Sequence, residues 1–81
     1  MDFDQVKEIL NFLYNEQGYK DKLPETPLKL AISSITKKTD RGSITRAINS
    51  MCDLDIIQYR HGNIYLSDQG YKLLGVEKNA D

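Results

Sequence analysis

Ser43-Ile44-Thr45-Arg46-Ala47-Ile48-Asn49-Ser50-Met51-Cys52-Asp53-Leu54-Asp55-Ile56-Ile57-Gln58-Tyr59-Arg60 carries a helical pattern straight into a strand pattern, and the fold turns on how it is read. Ile44, Ala47, Ile48, Met51 and Leu54 recur at the i, i+3, i+4, i+7 spacing that turns one stripe of a helix toward a core. The other face holds Thr45, Arg46, Asn49 and Ser50, with no acid before Asp53, so its front half can lie against a polyanion without repulsion. Working outward, Thr36-Lys37-Lys38-Thr39-Asp40-Arg41-Gly42 reads as a turn, with Asp40 or Ser43 able to cap the helix that follows.

Before the turn, Thr26 offers an N-cap with Pro27 as first helical residue, predicting a helix from Pro27 to about Thr36 with Leu28, Leu30, Ala31, Ile32 and Ile35 toward the core. Tyr19 to Glu25 reads as a polar connector. Further upstream, Asp2 to Gln17 is an amphipathic helix with Phe3, Val6, Ile9, Leu10 and Leu13 on one face, opened by the capping-box spacing of Asp2 and Gln5 and stopped by Gly18. Its outer side is acidic or amide, better suited to scaffold or subunit contact than to a phosphate backbone.

Downstream, a two-residue turn at His61-Gly62 would set Arg60 opposite Asn63, Tyr59 opposite Ile64, Gln58 opposite Tyr65 and Ile57 opposite Leu66. Ile57, Tyr59, Ile64 and Leu66 then share the inner face, while Gln58, Arg60, Asn63 and Tyr65 point outward. Three helices, the last two joined by a short turn, followed by a hairpin and a short C-terminal helical turn predict an α+β, mainly α, winged helix over residues 1–81 as a single domain.

Composition limits what such a chain can do. With 81 residues it buries at most about two-thirds of its unfolded surface, which leaves little for a deep pocket. One cysteine excludes an internal disulfide framework, and no apolar run approaches the roughly 20 residues of a membrane span. Met1-Asp2-Phe3-Asp4 is acidic where a signal peptide is basic, so a cytoplasmic setting is expected. There is no glycine-rich phosphate loop, nucleophile elbow or two-histidine metal motif, so neither enzyme chemistry nor a metal, cofactor or small-molecule ligand is expected. Cys52 reads as a small hydrophobe and His61 as a turn residue. The net charge is −1, but residues 29–49 carry Lys29, Lys37, Lys38, Arg41 and Arg46 against Asp40 alone, whereas residues 1–17 set Asp2, Asp4, Glu8 and Glu16 against Lys7. Local field, not the total, steers a phosphate backbone.

Residues 26–74 resemble the winged helix-turn-helix transcription regulators, particularly the MarR and PadR types. Residues 43–51 look like their recognition helix and 56–60 like the first wing strand. Leu66-Ser67-Asp68-Gln69-Gly70-Tyr71-Lys72-Leu73-Leu74 is similar to the family's segment after the wing, where Leu-Ser/Thr-x-x-Gly starts a further helix. The resemblance implies a double-stranded DNA partner, with Ser43, Thr45, Arg46 and Asn49 in the major groove, Lys37, Lys38 and Arg41 near phosphates, and Arg60 and His61 at the wing tip. It also implies transcription regulation of bacterial, phage, plasmid or archaeal type. Asp55 stands where the family usually has glycine, the wing is short, and no long dimerisation helix follows Leu74, so a homodimer would use the first helix or Tyr71–Leu74. A winged helix binding protein instead of DNA, as adaptor or inhibitor, is the alternative, because the fold serves both uses.

Overall fold

The computed structural model describes residues 1–77, so residues 78–81 of the expected domain lie outside the described residues. Its elements are α1 (Phe3–Asn11), a π-helical turn (Phe12–Glu16), β1 (Lys22–Leu23), α2 (Glu25–Thr36), α3 (Arg41–Asp53), β2 (Ile57–Arg60), β3 (Asn63–Leu66) and α4 (Asp68–Leu74). This is an α+β, mainly α fold whose layout is compatible with a winged helix. Buried residues from the helices, the π turn and the strands form one core around Ile9, Leu10, Leu13, Leu28, Ile32, Met51, Ile57 and Leu66.

The Asp2 carboxylate accepts from the Gln5 N–H at 2.8 Å and starts α1 as expected. The helical run expected to reach Gln17 continues unbroken through Glu16, but after Asn11 it widens from α into the π turn, with the Gln17 N–H donating to the Phe12 carbonyl at 3.0 Å. Lys20 takes up the end of this turn, its Nζ donating to the Tyr14 carbonyl at 3.1 Å and lying 4.1 Å from the centre of the Tyr14 ring. Gly18 supplies the left-handed stop at φ +80°. Phe3, at the rim of the bundle, is 56 % exposed instead of buried.

The connector contains a strand that its polar composition conceals. Lys22 pairs with Tyr65 and Leu23 with Ile64, giving a three-stranded antiparallel sheet in the order β1-β3-β2. Two residues are too few for alternation to register as a pattern, yet Leu23 is buried and Lys22 exposed, as a half-buried strand requires. α2 then begins at Glu25 rather than Pro27, capped by Pro24, with the Leu28 N–H donating to the Pro24 carbonyl at 3.1 Å. Pro27 is tolerated as third residue because no intrahelical acceptor awaits an N–H there. Leu30 is 65 % exposed, since two residues beyond Leu28 is the wrong face of a 3.6-residue period. Leu54, expected on the inner stripe of α3, lies past the helix end and is exposed.

The hairpin has the expected register throughout, Ile57 with Leu66, Gln58 with Tyr65, Tyr59 with Ile64 and Arg60 with Asn63. His61 at φ +52° and Gly62 at φ +79° give the two left-handed residues of a type I′ turn. Tyr59 departs from the expected burial, being 52 % exposed where the strand runs out toward the tip.

The segment after the wing is tied to the wing's start. The Ser67 N–H donates to the Ile56 carbonyl at 3.0 Å and its hydroxyl donates to the Asp55 carbonyl, so this hydroxyl does not cap α4. At Gly70 a Cβ would collide with the Ile56 carbonyl oxygen and meet Leu66 Cδ2 at 3.0 Å, which explains a glycine here on packing alone. Tyr71 completes the joint, with its hydroxyl 2.9 Å from Asp21 Oδ1 and 3.1 Å from the Lys20 carbonyl.

Candidate nucleic-acid interface

Helix α3 is anchored from behind by buried Ala47, Ile48 and Met51, with Ile44 half-buried beside them. Packing therefore fixes which side faces out: Thr45, Arg46, Asn49, Ser50 and Asp53 are exposed. The helix starts two residues earlier than the 43–54 span, because Asp40 caps it and its Oδ2 accepts from the Ser43 N–H at 2.9 Å. The hydrogen bonds from the Ser43 N–H and hydroxyl hold the Asp40 carboxyl below its ordinary value, and the Arg46 charge adds to them. Arg46 does not extend freely. Its Nη2 donates to Ser43 Oγ at 3.2 Å, laying the guanidinium back toward the start of the helix.

The turn before α3 is set by Lys37, a left-handed residue at φ +63° whose N–H donates to the Ser33 carbonyl at 2.9 Å. The Thr36 hydroxyl donates to the Ile32 carbonyl at 2.7 Å and accepts from the Lys38 N–H at 3.4 Å, so the backbone is held while the lysine side chains stay exposed. An open groove of about 470 Å³ runs beside α3, lined by Met1 and Gln5 from the start of α1, Thr36 and Lys38 from the end of α2 and the turn, and Ser43, Arg46, Ala47 and Ser50. Of the expected site residues it gathers Lys38, Ser43 and Arg46. Lys37 and Arg41 are exposed at the two ends of the turn, and Thr45 and Asn49 on the surface of α3.

The wing residues lie elsewhere. Arg60 stacks over the Tyr65 ring with its guanidinium carbon 4.0 Å from the ring centre, and His61 occupies the exposed left-handed turn. Gly62 and Asn63 border a second, smaller depression with Lys22, Leu23, Pro24 and Glu25, which contains none of the α3 residues. Met1, Gln5 and Thr36 are the groove residues that sequence reading misses. Their participation depends on how α1 and the end of α2 pack, and no local pattern carries that.

Burial pushes the Cys52 thiol up, with Asp53 adding to the effect, the opposite of what a reactive thiolate needs. Among the described residues no group of histidine, cysteine or carboxylate side chains is placed to hold a metal ion, and no helix is long and apolar enough to cross a membrane. No protein-family model, curated protein or solved structure matches the chain.

Proposed function

We propose that this chain binds double-stranded DNA with sequence preference, α3 entering the major groove and the Lys37–Arg41 turn resting on the backbone. The observation that carries the reading is the joint exposure of Lys37, Lys38, Arg41, Thr45, Arg46 and Asn49 on one turn and one helix held rigid by the core behind it. Arginine pairs bidentately with guanine and asparagine with adenine, whereas lysines supply the salt-sensitive, sequence-independent share of affinity. Such a protein acts as a small cytoplasmic transcription regulator of bacterial, phage, plasmid or archaeal type. A homodimer would place two copies of α3 on paired half-sites.

Titrating the protein into mixed genomic DNA at low and moderate salt tests the reading. Binding that weakens steeply with salt is expected. Arg46→Ala should cost about 1–3 kcal/mol of specific binding and relax sequence preference, while Lys37→Ala should lower affinity for all DNA and reduce the salt slope by about 1. Absence of binding at low salt overturns the proposal. A protein partner is favoured by one observation, the exposure of Asp53 on the same outer stripe of α3 as Arg46 and Asn49, where a phosphate backbone would meet repulsion.

A further inference from the structure

Three residues at the start of α3 form a chain of contacts at successive i, i+3 steps. Asp40 Oδ2 accepts from the Ser43 N–H at 2.9 Å, and Ser43 Oγ accepts from Arg46 Nη2 at 3.2 Å. Gly42 lies beside this contact, where a Cβ would stand at ordinary van der Waals distance, 3.4 Å from Nη1 and 3.6 Å from Asp40 Oδ2. We infer that Ser43 is a positioning residue for Arg46: its hydroxyl orients the guanidinium for one guanine and does not itself read a base.

This assignment rests on the DNA-binding reading and changes one part of it, since the resemblance puts Ser43 among the base-reading residues. The chemistry suits the role. An arginine carries five N–H donors in a fixed fork, so a single bond to Ser43 leaves four, enough for a bidentate pair with guanine O6 and N7. A long side chain held by a short one loses less rotamer freedom when it binds, and the benefit falls on discrimination at a single base pair. The Asp40 end of the chain serves to hold the backbone of Ser43, and therefore the origin of its hydroxyl, in register with the helix. Direct reading by Ser43 would instead require its oxygen to leave Arg46 and reach a base edge of its own.

A double-mutant cycle separates these roles. The wild-type protein first selects its preferred duplex from a randomised pool, and each base pair of that duplex is then replaced in turn. Ser43→Ala should reduce discrimination by about two- to tenfold. The loss should fall at the base pair where Arg46→Ala acts, and Ser43→Ala should add nothing in the Arg46→Ala background. Ser43→Thr, which keeps the hydroxyl, should restore the preference. Effects that add, or a Ser43→Ala change at a different base pair, overturn the positioning role while leaving DNA binding intact. Failure of the wild-type protein to retain any duplex at low salt removes the DNA-binding reading and this assignment with it.

Discussion

Gly70 is the most closely approached of the described glycines, where α4 meets the start of the wing and the Ile56 carbonyl leaves no room for a Cβ. The obstruction is backbone, which cannot swing aside as a side chain would, so Gly70→Ala should destabilise by about 1–3 kcal/mol, the ordinary range for overpacking. Denaturant unfolding measures this, and an unchanged midpoint would show that α4 sits further from the wing. Tyr71, one residue on, ties α4 to the residues before β1 through Asp21 and the Lys20 carbonyl. Burial first, then the hydrogen bond to the Asp21 carboxylate, push its phenol from 10.0 up to about 12. The folded state thus holds this proton more tightly than the unfolded chain, so the contribution is complete below pH 10.0 and is lost as pH climbs toward about 12. Tyr71→Phe should cost about 0.5–1.5 kcal/mol at neutral pH. It should also flatten the alkaline fall in stability, leaving the parts that come from Tyr59 and Cys52, whose phenol and thiol burial also raises. An equally steep alkaline fall in the variant would place the responsible group elsewhere.

Each element was legible in the chain to the extent that its own residues decide it. The hairpin register follows from a two-residue turn and period-two alternation, both local, and it is met at all four pairs. The inner stripe of α3 was legible for the same reason, through Ala47, Ile48 and Met51. β1 was not, because Lys22–Leu23 becomes a strand only when β3 supplies the partner. The same holds for the groove beside α3, whose Met1 and Gln5 arrive by tertiary packing of α1, and for the Ser43–Arg46 contact, which depends on a rotamer. Between α3 and β2 the connection turns on Asp55, left-handed at φ +59° with its carbonyl accepting from Ser67. A non-glycine residue there bears a Cβ strain of about 1–2 kcal/mol, partly offset by the greater freedom glycine has when unfolded. Since the bond to Ser67 uses the backbone and not the carboxylate, Asp55→Gly should raise stability by up to about 1 kcal/mol. A loss of stability on chemical unfolding would mean that the Asp55 side chain holds the turn by a contact of its own.

At the scale of the whole molecule, which measures 38 × 25 × 21 Å, an acidic cluster lies apart from the groove beside α3. Asp4, Glu8 and Glu16 border a groove between α1 and α2 with Lys7, Asn11, Phe12 and Ile35, and this groove shares no lining residue with the one beside α3. If DNA lies along α3, those carboxylates act on it only through the long-range field. That field reaches about 30 Å at 0.01 M salt but only about 10 Å at 0.1 M. The slope of log affinity against log salt has a different origin, since it counts the phosphates neutralised by direct contact. The variant Asp4→Asn, Glu8→Gln, Glu16→Gln should therefore bind DNA more tightly than the wild type at low salt. The two affinities should converge as salt rises, and a Lys37→Ala protein measured alongside should show a slope reduced by about 1 with α1 untouched. Near the low-salt limit the converging curves differ slightly in gradient, so the decisive region is moderate salt, where screening leaves contact charges alone in play. A triple variant whose gradient still departs from wild type there would put α1 inside the contact surface, and DNA would have to approach along the acidic groove's edge rather than along α3.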